Sequence, residues 1–296
     1  MTTFRITTGL ALALLCGPLS ACMDGHSHGT GSDNDDMQAA DLGPTTSNTI
    51  LLNFKPRVGT QPFACNQKFS GVGLGATATA EFSDFRLYVH DLRLVDTSGT
   101  EVPLQLEEDQ KWQQKTVALL DFEDKTGACG GTASVNAQLR GVVPDGSRQW
   151  KGIRFKVGVP FAQNHGDAAT AASPLNLTSM FWAWQSGYKF LRVEGQTTAS
   201  QSFIVHLGST GCVKDGSGQV QSCSSPNRPE IALDGFDPKT QSIVVDVAAL
   251  ISGTDLGKSM ECMSSPGTAD CGPVFASVGL PYGGGAAGVQ KLFRVE

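Results

Sequence analysis

From Thr49 onward, apolar and polar residues alternate over short stretches broken by Gly, Pro, Ser, Asn and Asp. A period of two turns one face inward and the other outward, the pattern of a half-buried β-strand. Residues 50–54 open as such a strand. Residues 85–95 alternate along their whole length, and Thr97-Ser98-Gly99 turns them toward Val102-Pro103-Leu104. Residues 117–122 are more continuously apolar and read as a buried strand. Further strands are predicted over 134–143, 153–159, 181–194 and 202–207, and over 231–236 and 242–247 flanking a turn at Asp237-Pro238. Helical signals are weak and short, near 163–172, 247–251 and 273–279. With no repeat and no internal linker, the pattern predicts one all-β domain over residues 49–296. Its expected form is an Ig-like β-sandwich with long decorated loops and a few short helices.

Composition strengthens this reading. The 296 residues include 35 Gly and 14 Pro, which suit many turns better than a helix bundle. The formal net charge is −6, so there is no basic excess to neutralise a phosphate backbone and nucleic acid is excluded as a partner. No apolar run reaches the roughly 18 residues that span a bilayer, which excludes a multi-pass membrane protein.

The first 48 residues read as an address and a tether. Arg5 precedes the apolar run Leu10-Ala11-Leu12-Ala13-Leu14-Leu15, too short for a membrane helix and suited to a signal peptide over residues 1–21. Leu19-Ser20-Ala21-Cys22 resembles a bacterial lipobox, which implies cleavage before Cys22 and lipidation of that cysteine. Met23, rather than Asp, follows it. In lipoproteins this implies the outer membrane, with the chain lipid-anchored on the periplasmic side of the cell envelope. Residues 22–48 are rich in Asp, Gly, Ser and Thr and poor in large apolar groups. They are expected to form a flexible tether, and His26-Ser27-His28 reads as part of that solvated linker.

Cysteine usage fits export. Of 8 Cys, Cys16 leaves with the signal and Cys22 carries the lipid. Cys65, Cys129, Cys212, Cys223, Cys262 and Cys271 remain, an even set expected to form structural disulfides. Locality pairs Cys212 with Cys223 and Cys262 with Cys271, leaving Cys65 and Cys129 as a long-range staple. No Cys-x-x-Cys occurs, and no Cys lies at zinc-ligand spacing from a His.

Catalytic motifs are missing: there is no Gly-x-Ser-x-Gly elbow, Walker A or His-Glu-x-x-His. Gly71-Val72-Gly73-Leu74-Gly75 reads as a loop beside Cys65. The predicted domain holds three histidines, His90, His165 and His206. His90 and His206 lie on alternating strands, where imidazoles can be held rigidly for a metal. Among four tryptophans, Trp150 reads as core or rim, and Trp182 and Trp184 share a strand face at i, i+2. Trp112 lies in a run of charged and amide side chains and is expected to be partly exposed.

These residues carry a resemblance. The chain is similar to the MbnP family of four-Cys periplasmic proteins encoded beside a dihaem peroxidase-like partner. The matching stretches are Val117-Ala118-Leu119-Leu120-Asp121-Phe122-Glu123 leading to Cys129, and Val159-Pro160-Phe161 through Asn164-His165. Pro174-Leu175-Asn176 and Met180-Phe181-Trp182-Ala183-Trp184-Gln185-Ser186-Gly187-Tyr188-Lys189-Phe190 follow, then His206-Leu207-Gly208-Ser209-Thr210-Gly211-Cys212. The resemblance implies an exported copper-binding protein, not an enzyme. It also implies that a dihaem cytochrome c peroxidase-like partner can oxidise a tryptophan to kynurenine, whose aryl amine and carbonyl complete a histidine copper site. The expected ligands are His206 and His90 first, then His165. The expected order for modification is Trp112, then Trp184 and Trp182. Met180, Met260 and Met263 are soft donors available to Cu(I).

Two other readings compete. One is a structural or interaction lipoprotein of the envelope without metal, which predicts separated or hydrogen-bonded histidines. The other is a hydrolase using Ser202 or Ser209 with His206, which no oxyanion-hole motif supports.

Overall fold

The computed structural model describes residues 47–183 and 185–296. The expectations for residues 1–46 (signal peptide, Cys22, most of the tether, His26 and His28) and for Trp184 fall outside the described residues.

The long alternating stretch becomes the hub of the fold. Ala78–Asp96 is a single strand of 19 residues. It pairs antiparallel with Leu191–Thr197 through its first half, Val117–Asp121 at its centre and Trp150–Val157 through its last half. Its pairing passes from Leu191–Thr197 at Leu87 to Trp150–Val157 at Val89, and its register then slips between His90 and Arg93, where Asp91 has φ 53. A bulge of this kind bends a strand and re-aims its side chains. The sheet continues from Leu191–Thr197 to Ser202–Leu207 and Met260–Cys262, and from Trp150–Val157 to Glu230–Asp234. A second sheet runs Phe293–Val295, Ile243–Asp246, Thr49–Val58, Gln138–Val142 and Gln105–Leu106.

Inward-facing residues of both sheets make one core. Phe155 meets Phe54 at 6.4 Å and Phe293 at 5.1 Å between ring centroids, both edge-to-face. Trp150 is buried in this core, the first of its two expected places, core or rim. Edge-to-face aromatic pairs add about 0.5–1.5 kcal/mol each beyond area burial. The architecture is an Ig-like, disulfide-stapled β-sandwich with few short helices. The helices Phe161–Asn164, Val247–Leu250 and Cys271–Ser277 lie near the three predicted positions.

Three disulfides close it. Cys65–Cys129 spans 64 residues, Cys212–Cys223 spans 11 and Cys262–Cys271 spans 9. These are the pairings that locality indicates.

The stretch 181–194 departs from its reading as one strand. It forms a small hairpin, Phe181–Ala183 with Gly187–Tyr188, and only then the strand Leu191–Thr197. Gly187 causes the break: its φ is 79, and a Cβ there would lie 2.3 Å from Asn164 Nδ2. A residue with a side chain fits neither that backbone nor that gap. The Gly71–Gly75 region is also more ordered than a bare loop, because Lys68–Val72 pairs with the hub strand.

Candidate metal centre

The register of four adjacent strands builds the site. Asp121 lies opposite Arg86, Arg86 opposite Arg192, and Arg192 opposite His206. One row of ionisable residues therefore crosses the sheet, and the pair Asp84–Glu194 adjoins it. Each alternates with apolar neighbours, a pattern that ordinarily marks a solvated face. Here the face is covered, and Asp84, Arg86, Asp121, Glu123 and His206 are all buried.

These side chains form a chain of contacts. His206 Nε2 meets Glu194 Oε1 at 2.6 Å. Arg192 Nε bridges Glu194 Oε1 at 2.8 Å and Asp84 Oδ2 at 3.0 Å. Arg86 forks onto Asp84 and reaches Glu123 Oε1 at 3.0 Å. Burial pushes the Glu194 carboxyl up, but hydrogen bonds from His206 and Arg192 outweigh it and bring the pKa to about 2. A carboxylate at His206 Nε2 requires a proton on that nitrogen, so in the neutral ring Nδ1 carries the lone pair. Nδ1 is buried and has no hydrogen-bond partner. A histidine held by a carboxylate through one nitrogen and bare at the other has the arrangement of a metal ligand.

Trp182 stands beside it, with ring centroids 6.1 Å apart at 55°. The close approach depends on Gly208, where a Cβ would lie 2.4 Å from Trp182 Cζ3 and 2.8 Å from the Tyr188 carbonyl oxygen. Gly208→Ala is expected to displace the indole, changing the near-ultraviolet circular dichroism and costing about 1–3 kcal/mol, the usual range for overpacking. An unchanged spectrum and unfolding midpoint would refute this.

The other expected ligands lie elsewhere. His90 is on the hub strand four residues beyond Arg86, and His206 is two strands from Arg86. Strand rise and spacing put His90 and His206 roughly 16 Å apart, so the structure does not bring this pair together. His90 Nδ1 is 2.8 Å from the Gly158 carbonyl, and burial lowers its pKa to about 4. It borders a separate apolar cavity of about 640 Å³ with Leu104, Leu106 and Phe161. His165 follows the helix Phe161–Asn164, with Nε2 3.5 Å from Cys223 Sγ. His165, Cys212 and Cys223 place ligand atoms within 4.8 Å of one another, but both sulfurs are committed to a disulfide and offer no thiolate.

Trp112 lies apart from this centre. It sits beyond the Val117–Asp121 edge, partly buried, with Lys111 Nζ 4.7 Å over its ring. Met180 and Met260 are core residues, whereas half-buried Met263 follows Cys262, whose register partner is Val205 beside His206. Among the described residues no serine hydroxyl bonds the His206 imidazole. Ser209 Oγ donates to the Pro226 carbonyl instead.

Sequence reasoning missed Glu194, Arg192, Asp84 and Arg86. Their signal was the i, i+2 pairing of opposite charges, Asp84-x-Arg86 and Arg192-x-Glu194, in otherwise apolar strands.

The same network gives the fold a pH dependence. Burial, with Asp84 adding its charge at Glu123, raises Asp121 and Glu123 to about 7. The folded chain thus binds more protons than the unfolded chain from the usual carboxylate range up to about pH 7, and these groups lower stability as pH rises through that window. His90 acts oppositely between about 4 and its usual 6.5, but two carboxyls outweigh one imidazole. The urea midpoint is expected to be lower at about pH 7.5 than at about pH 5, and Asp121→Asn with Glu123→Gln to remove that fall. Equal midpoints for the parent chain would refute it.

Fold and site together define a class: a disulfide-stapled β-sandwich presenting a carboxylate-held imidazole beside a tryptophan. The chain belongs to the MbnP family, whose profile matches residues 47–264. A solved structure, MbnP from Methylosinus trichosporium, is similar with a TM-score of 0.72 and 27% sequence identity. The likeness covers 83% of this chain and 97% of that one. No curated protein matches the sequence.

Proposed function

We propose that the chain is an exported copper carrier of the cell envelope, not an enzyme, and that copper binds at His206 Nδ1 beside Trp182. The observation that carries this reading is the buried, unpartnered Nδ1 of an imidazole whose Nε2 is held by Glu194. A bare buried nitrogen costs about 1–3 kcal/mol, a cost that a ligated metal removes. Imidazole suits copper.

One imidazole is not a complete site, and Trp182 supplies the remainder after oxidation. A dihaem peroxidase-like partner, drawing four electrons from the indole to two peroxides, cleaves its C2–C3 bond. Each peroxide leaves one oxygen on the indole and one water. Hydrolysis then releases C2 as formate, leaving an aryl amine and a ketone beside His206 as donors. The half-buried Met263, next to Cys262 opposite Val205, is a soft reserve. The resemblance of Leu19-Ser20-Ala21-Cys22 to a lipobox supports a domain anchored on the periplasmic side of the outer membrane, where such a partner can reach it.

The test is peptide mass spectrometry with copper analysis on chain isolated from its native envelope. The expected result is the kynurenine mass gain on the Trp182 peptide and about one copper per chain, the stoichiometry of a single centre. An unmodified chain that also rejects added Cu(I) and Cu(II) would overturn the reading in favour of a metal-free interaction protein.

A further inference from the structure

We propose that His165, Cys212 and Cys223 form a second, redox-gated site for Cu(I), closed as a disulfide and opened by a dithiol reductant. It is separate from the His206 centre and stands whether or not that centre binds copper.

Three donors already converge. Cys212 lies directly opposite Cys223 in the hairpin Thr210–Lys214 and Val220–Ser225. His165 Nε2 and the two sulfurs lie within 4.8 Å of one another, and all three residues are half-buried. Hydrogen bonding fixes the imidazole's state. Asn164 Oδ1 accepts from the Tyr188 N–H at 3.0 Å, which turns the amide nitrogen toward His165 Nε2 at 3.2 Å. Nε2 therefore carries the ring's lone pair, which the Asn164 amide holds until a metal at the cluster displaces it. A cavity of about 730 Å³ bordered by His165, Phe181 and Gly218 opens on the imidazole side of the cluster.

Burial makes the gate selective. Cys65, Cys129, Cys262 and Cys271 are buried, whereas Cys212 and Cys223 are reachable by solvent. A reductant thiolate attacks the Cys212 sulfur, and the Cys223 sulfur leaves as a thiolate beside the imidazole at 3.5 Å. The reductant's second thiol then displaces Cys212 from the mixed disulfide. Two electrons pass from the dithiol to the pair, and the reductant leaves as its own disulfide. Two thiols then bind one Cu(I) and release two protons. The resulting set of two thiolates and one imidazole is soft and three-coordinate, which suits Cu(I) better than the four-coordinate preference of zinc.

The experiment uses full-length chain, oxidised or treated anaerobically with limiting dithiol, with alkylation and mass spectrometry to show which cysteines opened. Cu(I) is titrated against a chromophoric chelator. The reduced chain is expected to bind one more Cu(I) than the oxidised chain, with thiolate-to-copper absorption. His206→Ala retains the additional copper, and Cys212→Ser with Cys223→Ser loses it. His165→Ala weakens it by at least the roughly 10- to 100-fold that loss of an outer-shell partner produces. Reduced wild-type chain with Cys212 and Cys223 capped by alkylation repeats the loss without altering the sequence. No additional copper on reduction, or additional copper that persists after capping, would overturn the proposal.

Discussion

His206→Ala is expected to abolish high-affinity copper binding by the oxidised chain while leaving the β-sandwich folded. The strand Ser202–Leu207 keeps its backbone ladder to Leu191–Thr197 and Met260–Cys262, and none of those bonds uses the imidazole. Glu194, deprived of His206, still holds Arg192 at 2.8 Å, so no buried carboxylate is stranded. The variant loses the bare Nδ1 and nothing else that a metal could use at this position. Glu194→Gln separates ligation from orientation. It keeps a hydrogen-bond acceptor at Nε2 but removes the charge that makes the ring a stronger donor, and a loss of about 10- to 100-fold in affinity is expected. Competition titration with a copper chelator, alongside circular dichroism to confirm the fold, measures both. Wild-type affinity in His206→Ala would place the metal elsewhere.

The strands of this protein were legible because each covers one apolar face, and a period of two survives almost any tertiary context. The hub strand was visible from Phe85 to Val95, although residues 85–90 are all buried, so both of its faces are covered there and the alternation of the sequence is not an alternation of burial. The hairpin at Trp182 was not visible. Its break depends on Gly187 fitting against Asn164, 23 residues away in sequence, and periodicity carries no information about such a contact. The site was legible in its residue types but not in its pairing. His206 and His90 show the same alternation, yet only the register across Arg86 and Arg192 reveals that they are far apart. Trp112 attracted notice because it has no apolar neighbours in sequence. Exposure alone did not place it near an imidazole, whereas the less conspicuous Trp182 is beside one. Glu194 was hidden for a related reason. A charge alternating with apolar residues looks solvated until the chain that covers it is known.

Arg86→Leu is expected to cause the largest loss of stability of any single substitution in this network, about 3–5 kcal/mol near neutral pH, the usual cost of leaving buried charge uncompensated. Arg86 is the cation shared by Asp84 and Glu123, and it lies opposite Asp121 in the row. Glu123 is 0% exposed, and among the described residues Arg86 is the cation it pairs with, Arg192 acting from further off. Without Arg86 the two carboxyls already raised to about 7 lose attraction for their charged forms and hold protons to still higher pH. The destabilisation is therefore expected to shrink at about pH 5, where both are neutral, and to grow as pH rises and folding must oppose their ionisation. Glu123→Gln in the Arg86→Leu background removes one carboxyl that folding must keep protonated and is expected to recover part of the loss at neutral pH and little in acid. Lysine does not substitute, because one ammonium cannot fork onto both oxygens of Asp84 while lying beside Glu123 as the guanidinium does. Urea unfolding of the three chains at both pH values decides the matter. A neutral-pH loss below about 1 kcal/mol would mean that the guanidinium only offsets its own desolvation, and a loss that does not change with pH would mean that it acts by packing rather than charge.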